Sequence, residues 1–325
     1  MSRPNLFKYA TSELSQDAFL CWIASWSDPS ASIHDNQLSN ISIKFLKDIF
    51  LKHKKEFPQK IEKVEVIRQY KNIDILIAIN DTFVIPIESK AGTKEHSNQL
   101  AKYVKIIQEE GWKIENTLPT YIQTGVQCDY NGVEASGFIP FLRNELIEVL
   151  KDHNQSNQII NDYFEHLQSI ENAVTGFAQI KVQDWGWYAW QGFYSCLQKK
   201  ILDGKWAYVP NPRGGFLGFW WYWHGDDECE QYLQLEQEKL CFKISVDTKD
   251  RRSDLKLKWH NKILESSTNS LIKLIKPVLR NGQYMTVCVA SCDYRQTDSN
   301  GILNFDNTVA FLEEAQSILN KAVQI

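Results

Sequence analysis

N-I-D-I-L-I-A-I-N-D-T-F-V-I-P-I-E-S-K, residues 72–90, contains two apolar runs on either side of Asn80-Asp81. Ile73 to Ile79 is continuously apolar apart from Asp74, and Thr82 to Ser89 is rich in β-branched residues. Asn-Asp between two such runs is a tight-turn signal, so the stretch predicts a β-hairpin. Side chains two apart on a strand share a face, which puts Val84, Pro86, Glu88 and Lys90 together. Counting back from the turn, Asp74 falls opposite residues 87 to 88. Asp74 and Glu88 are therefore expected to be neighbours across the ladder, with Lys90 one pleat further on.

Two carboxylates this close repel unless something positive joins them. A divalent cation does so, and Mg²⁺ (or Mn²⁺) suits oxygen ligands that leave room for water and phosphate oxygens. Lys90 then has two chemical roles open to it: stabilising developing negative charge, or orienting and deprotonating an attacking water. Hydrolysis of a phosphodiester needs these parts. The plainer reading of Glu88 and Lys90 is an ion pair at the end of a strand.

The flanking patterns extend this unit. A helix capped by Ser12 or Ser15 runs to about Asp28-Pro29, and a second spans about Ile41 to Lys52. A strand from Lys63 to Tyr70 precedes the hairpin. A helix from about Ser97 to Glu109 and a strand over Pro119 to Thr124 follow it. D74-(x)13-E88-S-K90 resembles the Asp…(Glu/Asp)-x-Lys signature of the PD-(D/E)XK nuclease superfamily. Gln99-Leu100-Ala101-Lys102-Tyr103 resembles the Q-x-x-x-Y helix of its RecB-like branch. Asn72-Ile73 stands where the family's Pro would precede the Asp. The resemblance covers roughly residues 10–130.

This resemblance implies an α/β, restriction-endonuclease-like core, a mixed central sheet flanked by helices. It implies that Glu13 completes a metal shell with Asp74 and Glu88, with Asp17 as the rival acid. The backbone carbonyl of Ser89 is a possible further ligand. Gln99 and Tyr103, four apart on one helix face, would position phosphate or water. The implied substrate is nucleic acid, DNA by family habit, in defence or repair. A catalytically silent, nuclease-like binding or sensing module is the alternative.

The rest of the chain has a different texture. Helical patterns run from Phe141 to about Phe177 and from Gly186 to Lys200, then Pro210 to Gly215 forms a breaker cluster. Strands are expected at about 216–224, 231–235, 239–246 and 284–290, with helices at about 255–276 and 307–323. This predicts an additional C-terminal α+β domain over 181–325, after a nuclease-like domain over 1–180, with the boundary between 180 and 212. Phe216 to Trp223 (F-L-G-F-W-W-Y-W) offers either core packing or platforms for base stacking.

Seven scattered cysteines without a C-x-x-C pair, and equally dispersed histidines, argue against a disulfide framework or a zinc site. No apolar run is long enough for a membrane span and the N-terminus has no signal-like core, so a cytoplasmic protein is expected. The net charge of −4 leaves room for local basic tracks. Lys44–Lys71 holds nine Lys/Arg against four Asp/Glu, and Lys249–Arg280 nine against three. Either could follow a phosphate backbone or be a solvated helix face. The stretch Asp226–Glu238, with six acids and no base, should lie away from nucleic acid. His96 falls in the loop beside the site. A homo-oligomer is compatible with all of this.

Overall fold

The turn at Asn80-Asp81 forms as its residues dictate. In the computed structural model, which describes residues 3–92, 99–152, 157–212, 214–278 and 281–324, both have positive φ, 53° and 49°. That is the backbone a two-residue hairpin demands, and Asn and Asp tolerate it better than most residues. A second turn of the same kind, at Lys71-Asn72 (φ 48° and 72°), joins strands β1 (Val64–Tyr70) and β2 (Ile73–Ile79). Strand β3 (Phe83–Lys90) completes an antiparallel meander in which Ile75 faces Ile87 and Ile77 faces Ile85.

The chain divides into two compact units, Met1–Asn172 and Ala173–Ile325. The first begins with helices α1 (Glu13–Ser25), α2 (Pro29–Ser32) and α3 (Asn36–Lys52) ahead of the meander. After it come α4 (Gln99–Glu109), β4 (Thr120–Gln123), α5 (Asn131–Ala135), β5 (Ile139–Leu142), α6 (Arg143–Leu150) and α7 (Gln158–Thr175). The start proposed for α4 at Ser97 lies outside the described residues, as does His96. The five strands lie in sequence order, antiparallel from β1 to β3 and parallel from β3 to β5. The helical crossover of α4 is what allows β4 to run parallel to β3.

Both faces of this sheet are covered. Ile75, Ile77, Ile79, Ile85 and Ile87 pack into one core with Phe19, Leu20 and Ile23 of α1 and Phe45, Leu46 and Ile49 of α3. Leu76, Val84 and Tyr121 pack on the other face with Leu100, Tyr103 and Ile107 of α4. The result is a mixed sheet between helical layers, the architecture expected of a restriction-endonuclease-like core. One sequence expectation fails here. The sequence pattern predicts a helix from Phe141, but that residue lies in β5, the edge strand of the sheet, where Pro140 is tolerated.

The second unit contains α8 (Trp187–Gln198), β6 (Lys205–Val209), β7 (Phe216–Gly225), β8 (Glu230–Glu236) and β9 (Lys239–Ser245). It continues through α9 (Arg252–Ser266), β10 (Leu274–Ile275), β11 (Tyr284–Ala290) and α10 (Phe305–Gln324). Its six strands form an antiparallel sheet in the order β10-β11-β9-β8-β7-β6. The helix expected over 255–276 stops at Ser266. Leu274 and Ile275, which continued its apolar spacing, pair with β11 instead.

The aromatic run of β7 alternates as a strand should. Leu217, Phe219 and Trp221 are buried, while Phe216 and Trp220 are half-buried. Past a register shift at Tyr222 (φ 60°), Trp223 is exposed and stacks flat on Tyr232 at 4.0 Å. The acidic stretch and the second basic stretch meet within this unit. Glu228 pairs with Arg251 at 2.5 Å and also with Lys258, which answers part of the positive excess locally.

Candidate active site

The open end of the β2–β3 hairpin brings its polar residues together. Register places Ile75 opposite Ile87, so Asp74 stands opposite Glu88. Asp74 is fixed from two sides: the Ser89 N–H donates to Oδ2 at 3.0 Å, and the Gln69 amide donates to Oδ1 at 3.2 Å. Glu88 is fully buried. Its Oε1 lies 2.7 Å from Lys90 Nζ, yet neither carboxylate oxygen accepts a well-directed hydrogen bond among the described residues. Burial, reinforced by the charge of Asp74, pushes the Glu88 carboxyl up to about 7 in spite of Lys90. Burial alone would lower Lys90, but Glu88, Glu13 and Asp74 outweigh it and hold the lysine above its ordinary value. The strand-end ion pair and the carboxylate site are thus the same group of residues.

Helix α1 supplies the next residues. Ser12 caps it through the Ser15 N–H, and Glu13, Gln16 and Asp17 follow at the spacing of one helix face. Glu13 Oε2 is 3.7 Å from Lys90 Nζ, and its Oε1 accepts from the Ala91 N–H at 3.4 Å. Gln16 donates to Ser89 Oγ at 2.9 Å and to the Lys90 carbonyl at 3.3 Å. The Thr124 hydroxyl donates back to Gln16 Oε1 at 2.5 Å. Asp17 is almost fully buried. Burial pushes its carboxyl up to about 6, against a hydrogen bond with Ser89 that favours the charged form. Ser89 points to the face of β3 opposite Glu88, so Glu13 and Asp17 approach the strand end from different sides.

Helix α4 closes another side. The Gln99 amide donates to the Tyr103 hydroxyl, which donates to the Asn72 carbonyl in the β1–β2 turn. Tyr103 is buried, and burial together with Glu88 and Asp74 pushes its phenol well above the usual range. The Q-x-x-x-Y pair is therefore adjacent to the carboxylates, and its hydroxyl proton is committed to backbone.

Residues 34–137 match the sequence profile of the PD-(D/E)XK nuclease superfamily. This part of the chain is similar to that superfamily. Searches among curated proteins and among solved structures found no match. The matched segment contains Asp74, Glu88, Ser89, Lys90, Gln99 and Tyr103, whereas Glu13 and Asp17 precede it.

PD-(D/E)XK nucleases generally use a divalent metal ion. Among the described residues no group of three or more His, Cys, Asp or Glu side chains is gathered to hold one. The two-carboxylate pair nevertheless fits such an ion. Asp74 and Glu88 offer hard oxygen donors, Glu88 has no directed donor on either oxygen, and Mg²⁺ characteristically takes one or two carboxylates with water completing its shell.

Strand β4 contributes residues that the sequence did not single out. It pairs parallel with β3, Lys90 beside Gln123, and the Thr124 N–H donates to the Lys90 carbonyl at 3.0 Å. Arg143, at the start of α6, binds the Thr124 carbonyl at 2.5 Å, the Gly125 carbonyl at 3.3 Å and Glu171 at 2.8 Å. Gly125 has no room for a side chain: a Cβ there would stand 2.3 Å from the Ala91 carbonyl oxygen. Gly125→Ala must push the ends of β3 and β4 apart, at about 1–3 kcal/mol of stability. Urea denaturation should show that loss. The Q-T-G following a short strand was the available signal for this region.

Proposed function

We propose that the chain is a metal-dependent nuclease that hydrolyses phosphodiester bonds, in DNA by the habit of the superfamily and of its RecB-like branch. The convergence of Asp74, Glu88 and Lys90 at one strand end, within the segment that matches the superfamily, supports this most. Asp74 and Glu88, with Glu13 and the Ser89 carbonyl, would hold Mg²⁺ or Mn²⁺. Such an ion supplies a Lewis acid and a lowered pKa for bound water.

The chain's own residues divide the remaining work. Lys90 is held as a cation by its carboxylate neighbours, which suits charge stabilisation rather than proton abstraction. Gln99 restrains Tyr103, and Tyr103 ties α4 to the β1–β2 turn next to Asp74. These contacts preorganise the wall against which a phosphate would sit. The second reading is a silent, nuclease-like binding module.

The test is direct. Purified protein with end-labelled single- and double-stranded DNA and RNA should cleave in Mg²⁺ or Mn²⁺, stop in EDTA, and resume when excess metal is restored. Binding without cleavage under every metal condition would select the module instead.

A further inference from the structure

Gln123 stands out among the neutral residues of this region, because neither end of its carboxamide is used within the fold among the described residues. It is fully buried on β4, and neither its Nε2 nor its Oε1 has a hydrogen-bond partner among the described residues. A buried carboxamide without partners is disfavoured, and native chains retain few of them. Its position is specific. Parallel pairing sets Gln123 beside Lys90 and Tyr121 beside Glu88, so the Gln123 side chain shares the sheet face of Glu88 and Lys90. The backbone here is held tightly, with the Thr124 N–H on the Lys90 carbonyl and Arg143 on the Thr124 and Gly125 carbonyls. Gln123 Nε2 lies over Gly125, 3.0 Å from where a Cβ would stand, so the bare glycine makes room for the amide.

Lys90 is the neighbour with donors to give. An ammonium carries three, and here Glu88 lies 2.7 Å from it and Glu13 3.7 Å. If the proposed nuclease reading is right, Glu88 must be available to the reacting centre while Lys90 stays charged and aimed at the phosphate. A neutral acceptor on the next strand meets that need without competing for the role of Glu88.

We infer that Gln123 is a positioning residue: its carboxamide oxygen receives the Lys90 ammonium as Lys90 leaves Glu88 and turns to the substrate phosphate. No bond to the substrate is assigned to it. This inference rests on the nuclease reading, and two isosteric variants separate the two.

Gln123→Met keeps the shape and removes the acceptor, while Gln123→Glu keeps an acceptor oxygen at the same place. With the DNA substrate and metal of the assay above, Gln123→Met should lower kcat roughly ten- to a hundredfold, as expected for losing a hydrogen bond to a charged group. KM should be unchanged. Its Tm, measured without metal or substrate, should equal or exceed that of the wild type, because an unsatisfied buried amide has been replaced by an apolar chain. Gln123→Glu, whose added charge would hold Lys90 as Glu88 does, should not recover the lost kcat. A Gln123→Met protein with wild-type kcat overturns the role, as does one whose activity falls only in step with a lowered Tm. Wild-type protein that cleaves none of the substrates overturns the nuclease reading, and this role with it.

Discussion

Lys90→Met is expected to reduce metal-dependent cleavage by roughly a hundred- to a thousandfold, the usual effect of removing one preorganised charge-stabilising group. It should also make stability depend on pH more steeply than in the wild type. Lys90 is the nearest cation to Glu88, which is fully buried beside Asp74. Removing one member of a buried pair commonly costs about 3–5 kcal/mol when the other must stay charged. Glu88 has an escape, because its carboxyl is already raised to about 7 from an ordinary 4.5. Without Lys90 it rises further, so at pH 5 it is protonated and the loss is small. At pH 8 the wild-type carboxyl is largely ionised against Lys90, and the variant lacks that stabilisation. Urea denaturation at both pH values should show a deficit at pH 8 that nearly vanishes at pH 5, and Glu88→Gln in the same chain should remove it. The 2.7 Å contact ties Lys90 to the fold as well as to the proposed chemistry. Cleavage at the wild-type rate by folded Lys90→Met protein would end the assignment of Lys90.

The hairpin was legible because three local rules agree over 72–90: an Asn-Asp turn, apolar runs of strand length, and alternation that puts Glu88 and Lys90 on one face. Asp74 followed by counting from that turn. The Lys71-Asn72 turn was harder to see, since lysine does not advertise positive φ, yet the structure uses it as a second two-residue connection. Strand β5 was hidden by its four residues, its proline and the helix that begins at once after it. At the far end of the second unit, the Leu271 to Ile275 run keeps helical spacing. Its pairing with β11 is a long-range choice that no local pattern announces.

The supporting residues of the site were concealed for a related reason. Gln16, Gln123, Thr124 and Arg143 lie on α1, β4, its end, and α6, and they meet only when parallel pairing brings β4 against β3. Their signal is a polar residue where the periodicity calls for an apolar one. Gln16 and Asp17 show it on the buried face of α1, and Gln123 shows it on a strand whose residues are all buried. Such breaks in pattern tend to mark functional sites, where local preference is sacrificed.

Asp17→Asn tests one such break while leaving the carboxylates of Glu13, Asp74 and Glu88 in place. Asp17 is almost fully buried; burial raises its carboxyl from 3.8 to about 6, and Asp74 and Glu13 add to the rise while Ser89 and Arg68 oppose it. The direction of the linkage follows from the raised value. Below pH 3.8 the group is protonated in both folded and unfolded chains, and its full contribution to stability is present. Between 3.8 and 6 the unfolded chain releases the proton first, so stability falls as pH rises, by roughly 3 kcal/mol in all. Asparagine cannot release that proton. Its amide also leaves a donor where Asp17 Oδ1 now has no hydrogen-bond partner, but that penalty is the same at every pH. The stability of Asp17→Asn relative to the wild type should therefore improve by about 3 kcal/mol between pH 3.5 and pH 8, whichever protein is the more stable at the acid end. Paired denaturation curves across that range give the difference directly. A flat difference would mean that Asp17 is ionised at its ordinary pH in the folded chain, and that the Ser89 and Arg68 side of α1 solvates it far better than its burial implies.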